Sequence, residues 1–272
     1  MTIQAALDEA VKLLKSNDII SPRLDAELLL AFVLKKDRSF LLIHADDTVS
    51  KKRHSRFKEL VQKRIKPMPV AYLTGSKEFY GLDFIVDERV IIPRPETEPI
   101  VQWAIKLIKD KNLKTVIDVG TGCGNIIISI KKKCPEIQAI GLEYSKEALE
   151  VANLNNHQHN TKVDFQNSDL LQSFAGKADL IVANLPYLDG DKKDVTADAA
   201  AEPEISLFAG SGGLLLYERL FEDAGTKLNL PGYIMFESDP WQQPELEKLL
   251  QKSFSKVEKL EVSYFCQAFK LN

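Results

Sequence analysis

Apolar positions in the first quarter of the chain recur every three or four residues. In "IQAALDEAVKLLKS", from Ile3 to Ser16, they form one stripe of a helix. "SPRLDAELLLAFVLKK" follows with Ser21 at the cap and Pro22 at the first helical position. "SFLLIHADDTVS" is too short to assign, and "KKRHSRFKELVQKRI" returns to the helical period before "KPMP" breaks it. Tyr80-Gly81, between "KEF" and "LDFIV", reads as the turn of a β-hairpin. Pro93-Arg94-Pro95 closes that stretch as a rigid connector.

From Glu98 onward strand and helix patterns alternate. Helix "PIVQWAIKLIKD" precedes strand "TVIDVG", and a helix from Asn125 precedes strand "IQAIGLEY". Helix "SKEALEVANLNNH" is followed by strands "KVDFQNSD" and "ADLIVANLPY", then by helix "GLLLYERLFEDAGTKL" and strand "GYIMFES". "KVEKLEVSYFCQAFKLN" reads as two strands with no helix between them. Such alternation predicts an α/β fold with a mostly parallel sheet covered on both faces. The closing strand pair predicts one antiparallel strand, placed at the sheet edge.

Composition removes several classes. With 44% hydrophobic and 28% charged residues over 272 positions, this is an ordinary globular chain. A net charge of -3 supplies no footprint for non-specific nucleic-acid binding, and the basic run Lys51–Lys66 reads as a solvated helix face. Cys123, Cys134 and Cys266 match neither a disulfide framework nor a zinc knuckle, so a reducing cytoplasmic location is expected. No apolar run is long enough to span a bilayer, and the amphipathic N-terminus is not a secretory signal.

The candidate chemistry lies at strand ends. "VIDVGTGCGNI" places Gly120, Thr121, Gly122, Cys123 and Gly124 where the first strand of the alternating region meets a helix. Ligands of open α/β sheets bind there, and glycines let the backbone approach them. The run is neither the dinucleotide G-x-G-x-x-G nor a phosphate loop, and alone it is also compatible with a plain turn. Glu143, about 20 residues on, can accept from both hydroxyls of a ribose. It can equally be an acid favoured by the following helix N-terminus. Asp169 can accept from an exocyclic amino group while Leu170 covers the ring, or it can serve a turn.

Taken in order, the glycine loop, two acids and then Asn184-Leu185-Pro186-Tyr187 resemble the class I S-adenosylmethionine-dependent methyltransferases. In that superfamily an Asn/Asp-Pro-Pro-Tyr/Phe motif serves transfer to planar nitrogens. Such a nitrogen is a poor nucleophile and must be held in line with the methyl group. Asn184 Oδ1 and the Leu185 carbonyl can each accept one N–H, favouring positive charge on the nitrogen. Tyr187 can stack on the planar group, and Pro186 restricts Leu185 to extended conformations. Leu185 replaces the family proline, although a backbone carbonyl works from either residue. The same four residues also resemble ribosomal-RNA adenine dimethyltransferases, so a nucleic-acid adenine N6-methyltransferase is the alternative.

A longer segment separates the two. Ala71-Tyr72-Leu73-Thr74-Gly75, Glu78-Phe79-Tyr80-Gly81 and Ile92-Pro93-Arg94-Pro95-Glu96-Thr97-Glu98, with "EPEISLFAGSGGLLLYERL" from Glu202, closely resemble the HemK/PrmC family. These are peptide chain release factor glutamine N5-methyltransferases. The resemblance implies a seven-stranded, mostly parallel Rossmann-like methyltransferase domain at 98–272. It also implies an N-terminal helical release-factor-binding domain at 1–68 and a β-hairpin linker at 69–97. It further implies S-adenosylmethionine as cofactor, S-adenosylhomocysteine as product and no metal. Class 1 release factors would be the protein substrate of a monomer that binds no nucleic acid or membrane. Gly120 to Gly124, Glu143, Asp169, Leu170 and Asn184 would hold the cofactor, and Asn184 to Tyr187 the acceptor. Arg94, Glu96 and Thr97 would lie by the cofactor cleft as gate or brace, with a purely structural Arg94 left open. Glu143 stands for the usual Asp and Cys123 for a frequent Ser, and "FESDPWQ" departs from the family's glycine-containing form. Cys123 is expected to be a small loop filler and Trp241 to pack.

Overall fold

Five helices carry the N-terminal pattern: α1 (Ile3–Lys15), α2 (Pro22–Leu34), α3 (Arg38–Ile43), α4 (Lys51–Ile65) and α5 (Val70–Thr74). The stretch of undecided period is α3, started by Asp37, whose carboxylate accepts from Phe40 N at 2.7 Å. Thr2 and Ser50 cap α1 and α4 in the same way. Ser21 does precede α2, but its hydroxyl makes no cap bond and turns to Asp25 Oδ1 at 3.2 Å. Leu7, Leu14, Leu29, Leu30, Phe57 and Leu60 form the core of these helices.

This computed structural model describes residues 1–190 and 195–272, residue 211 by its backbone alone. It divides into two units, Met1–Ser76 with Thr196–Ala201, and Lys77–Val195 with Glu202–Asn272. The short 196–201 segment joins the helical unit through Arg64, which is 4% exposed. Arg64 Nε donates to Asp25 at 2.7 Å, and both terminal nitrogens donate to Asp198 at 2.7 and 2.9 Å. A buried guanidinium paired on two sides is worth keeping only while both partners remain.

The second unit begins on the hairpin β1 (Ser76–Phe79) and β2 (Leu82–Ile85). Tyr80 and Gly81 both have positive φ, 53° and 73°, as a two-residue turn matched to strand twist requires. Then come α6 (Glu98–Lys111), β3 (Thr115–Val119), α7 (Asn125–Lys133), β4 (Gln138–Glu143), α8 (Lys146–Gln158), β5 (Val163–Asn167) and β6 (Ala178–Ala183). The chain ends through α9 (Leu215–Lys227), β7 (Leu228–Glu237), α10 (Gln243–Ser253), β8 (Val257–Val262) and β9 (Cys266–Leu271).

The seven strands pair in the order β5-β4-β3-β6-β7-β9-β8. β9 runs antiparallel to both its neighbours, β7 and β8, and it lies inside the sheet, with β8 at the edge. The expectation of an antiparallel edge strand is corrected there: the last strand inserts beside β7 because its six residues are nearly all buried, whereas β8 is mostly exposed. Along the central strands alternate residues serve opposite faces. Ile117, Val119, Ile181 and Ala183 meet α9 and α10 residues, while Val116, Leu180 and Val182 meet those of α6 and α7. Among the described residues no helix is long and apolar enough to cross a membrane.

Candidate active site

The strand order reverses between β3 and β6: β4 and β5 add on one side of β3, and β6 returns to the other. The loops after β3 and β6 therefore diverge and leave a crevice at the carboxyl edge. Register brings three strand ends level there, with Val119 opposite both Leu142 and Ala183. Gly120 N and Thr121 N both donate to Leu142 O, at 2.8 and 3.0 Å, so the turn begins directly at the strand end. Gly120 sits at φ 73°, a left-handed conformation that strains other residues, and a Cβ there would press on Leu185 Cδ2 at 2.8 Å.

A cleft of about 390 Å³ opens at this point. Gly120, Gly122, Glu143, Asp169 and Leu170 line one part of it, and Asn184, Leu185 and Pro186 another. Thr121, Cys123 and Gly124, from the same loop, stand outside its wall, as does Tyr187 beyond Pro186. Thr121 is buried and donates to Asp118 Oδ2 at 2.7 Å. Burial pushes the Asp118 carboxyl up to about 7, against the opposing bonds from Thr121 and the Ile127 amide. Cys123 is fully buried, and burial pushes its thiol up to about 12, so it is no ready nucleophile. Gly124 starts α7 at φ 83° with Phe165 close beneath it.

The two acids are held differently. Glu143 accepts from Gly122 N at 3.0 Å through Oε2 and from Ser145 N at 2.9 Å through Oε1, tying the glycine loop to the start of α8. Each oxygen keeps a further lone pair for a ligand. Asp169 accepts from Arg219 Nη2 at 2.7 Å, with both side chains a little over one-third exposed. Leu170 beside it is held at φ 48°, a costly conformation for a large side chain, while staying 7% exposed.

No sequence motif points to Arg219, nor to Arg89, Tyr144, Ile205 and Leu216, which also line the cleft. Leu216 and Arg219 lie three apart on α9, so they share a helix face, but nothing in their spacing names a cleft. Arg94 is not in the wall: its Nη2 donates to the buried Glu202 at 2.5 Å. Trp241 is 63% exposed, which overturns the expectation that it packs. It follows the buried Ser238 in the loop before α10, where Gln242, its neighbour, takes the interior position and donates to Tyr187 O at 2.9 Å.

Behind Asn184 lies a polar group that no motif announced. Glu237, at the end of β7 and 3% exposed, accepts from Thr97 Oγ1 at 2.5 Å and from Tyr187 Oη at 3.1 Å. Burial raises its pKa, and the bonds from Thr97, Tyr187 and Asn184 oppose that rise. Asn184 Nδ2 in turn donates to Thr97 Oγ1 at 3.1 Å. The fully buried Tyr217 links the strand ends a second time: its hydroxyl accepts from Leu185 N at 3.2 Å and donates to the Glu237 carbonyl.

A seven-stranded sheet of this order, with a glycine loop, two acids and Asn-Leu-Pro-Tyr at one edge, defines an S-adenosylmethionine-dependent methyltransferase. Residues 5–75 match the family model "PrmC N-terminal domain", and residues 102–202 match "Methyltransferase small domain". A release factor glutamine methyltransferase of Koribacter versatilis is 35% identical over 241 residues, 87% of this chain and 86% of that protein. One of Clostridium acetobutylicum is 33% identical over 258 residues, 92% and 90% of the two chains. Among solved structures, the hMettl16 catalytic domain bound to a MAT2A 3'UTR hairpin superposes with TM-score 0.59 at 16% identity, covering 89% of this chain and 92% of that one, a likeness of fold alone. The chain belongs to the release factor glutamine methyltransferase family.

Proposed function

We propose that this protein transfers the methyl group of S-adenosylmethionine to the side-chain amide nitrogen of the glutamine in the Gly-Gly-Gln loop of class 1 peptide chain release factors. One observation carries the reading. Asn184, Leu185 and Pro186 form a wall of the same cleft that Gly120, Gly122, Glu143 and Asp169 line. An acceptor held at that wall stands beside whatever the glycine loop holds.

The residues present fit the cofactor. The cleft has the volume of a small-molecule site, and close backbone approach is available at Gly122, where a Cβ would meet only Ile91, at 3.9 Å. Glu143 would receive the ribose hydroxyls and Asp169 an amino group of the base, with Leu170 against its ring. Bound there, S-adenosylmethionine supplies an electrophilic methyl group on a sulfonium.

The chain's own contribution is positioning. Asn184 Oδ1 and the Leu185 carbonyl accept the two N–H groups of the glutamine amide, which aims the nitrogen lone pair and favours the positive charge that develops on it. Pro186 keeps Leu185 extended, so that its carbonyl faces the acceptor. Tyr187 stacks on the planar amide. The N-methylated amide cation is strongly acidic and loses its proton to water, so no strong base is required. Holding a glutamine amide this way is worth several orders of magnitude in rate without any covalent intermediate.

Labelled S-adenosylmethionine tests the assignment with three acceptors: a class 1 release factor, its Gly-Gly-Ala loop variant and ribosomal RNA. Label is expected on the wild-type factor alone, and Asn184→Ala is expected to abolish it with cofactor binding retained. Label on RNA, or full transfer by Asn184→Ala, would overturn the proposal.

A further inference from the structure

The amide of Asn184 is useful only one way round. Its oxygen must face the acceptor, because an NH2 group there would point donors at donors. Nothing in an asparagine side chain enforces this, since its two ends are nearly the same size and shape. The enforcement must come from what lies behind it.

We infer that Glu237 and Thr97 are positioning residues that set the orientation of the Asn184 amide, and that the same carboxylate fixes the Tyr187 ring. This rests on the proposed glutamine methylation as the reaction being served. Glu237 accepts from Thr97 Oγ1 at 2.5 Å. The Thr97 hydroxyl has one proton, and that proton is committed to the carboxylate. Toward Asn184 the hydroxyl can therefore only accept. At 3.1 Å it takes an N–H from Nδ2, which leaves Oδ1 for the acceptor. A flipped amide would set its oxygen against the Thr97 lone pairs and lose the bond. The other carboxylate oxygen receives Tyr187 Oη at 3.1 Å, so a single acid holds both polar side chains of Asn-Leu-Pro-Tyr.

The relay is sheltered from water. Thr97 is 1% exposed and Glu237 3% exposed, and Thr97 immediately precedes α6 while Glu237 ends β7. At the buried Thr97 side a mispaired amide cannot be rescued by solvent. Neither residue lines the cleft, so neither is a catalytic residue.

Substitutions separate this role from a structural one. Glu237→Gln can present an NH2 to Thr97, which frees the hydroxyl to donate to Asn184 Oδ1 and turns the amide round. Thr97→Val removes the hydroxyl that accepts from Asn184 Nδ2, and Thr97→Ser keeps it. The expected result for Glu237→Gln and Thr97→Val is kcat lower by about 100-fold, the scale of losing one aligned dipole, with the Kd for S-adenosylmethionine unchanged. Thr97→Ser is expected to turn over like the wild type. Turnover of Thr97→Val and Glu237→Gln near the wild-type rate would overturn the inference, and so would a Thr97→Ser enzyme as slow as Thr97→Val. A measurement on the wild-type protein covers variants that do not fold. The Asn184 side-chain NH2 signals in a nitrogen-15 spectrum should show one proton protected from exchange. Two freely exchanging protons would overturn the inference even if the enzyme methylates the factor. A protected proton in a protein that fails to methylate any glutamine would sink the proposed reaction and leave the orientation standing.

Discussion

Tyr217→Phe is a clean probe of how the site's two strand ends are tied together. The change deletes one oxygen from a side chain that is fully buried, and leaves the ring against Phe221 and Phe236 in place. It removes the acceptor of Leu185 N–H at 3.2 Å and the donor to the Glu237 carbonyl. No cavity larger than a hydroxyl forms, so the cost is polar. A buried backbone group left without its partner loses about 1–3 kcal/mol, and two of them place the destabilisation at about 2–6 kcal/mol. For a chain of this size that is a fall in melting temperature of roughly 5–12 °C. Burial also raises the Tyr217 pKa far above the ordinary tyrosine value, so the hydroxyl stays a donor across the pH range of the assay. Thermal unfolding of wild type and variant, followed by circular dichroism at one protein concentration, measures the difference. A melting temperature within about 1 °C of wild type would show that the hydroxyl bridge carries no stability.

Other outcomes follow from the same geometry. Asp118 has a folded-state pKa of about 7, raised from 3.8 by burial, so its protonated form favours the fold below pH 3.8 and that contribution is lost as pH rises through 7. Urea midpoints of wild type should therefore fall relative to Asp118→Asn between acid and neutral pH, and parallel curves would refute the assignment. Gly141→Ala drives a methyl group into the Phe165 ring on the paired strand, and should cost about 1–3 kcal/mol in chemical denaturation. Replacing Arg64 by Met strands the buried Asp25 and should destabilise the helical unit by about 3–5 kcal/mol. Adding Asp25→Leu should recover most of that loss, and a double variant no more stable than the single one would contradict it.

Much of the fold is legible from period alone. The alternation after Glu98 places every strand of the sheet, because helices and buried strands differ in both spacing and length. The position of β9 is not legible, since an antiparallel strand inside the sheet and one at its edge carry the same local pattern. The strand-end residues Gly120, Glu143, Asp169 and Asn184 are visible because topology collects them. What escapes is pairing across long separations. Asp169 reads as a free acid until Arg219, 50 residues on, is seen against it, and Glu237 reads as a strand end until Thr97 and Tyr187 converge on it. Trp241 departs from expectation for a related reason: size and hydrophobicity argue for the interior, yet its neighbour Gln242 occupies that place and donates to Tyr187 O.

The membership of Thr196–Ala201 in the helical unit has a bearing on heredity as well as on folding. Because Asp198 completes the Arg64 pairing, the first 76 residues are not a self-sufficient cassette. Shuffling them onto another methyltransferase would strip both Asp198 bonds from the Arg64 terminal nitrogens and leave the guanidinium with Asp25 alone. The ribosome also delivers Asp198 long after the helices have emerged, so the N-terminal part of the nascent chain waits for more than a hundred further residues before it is complete.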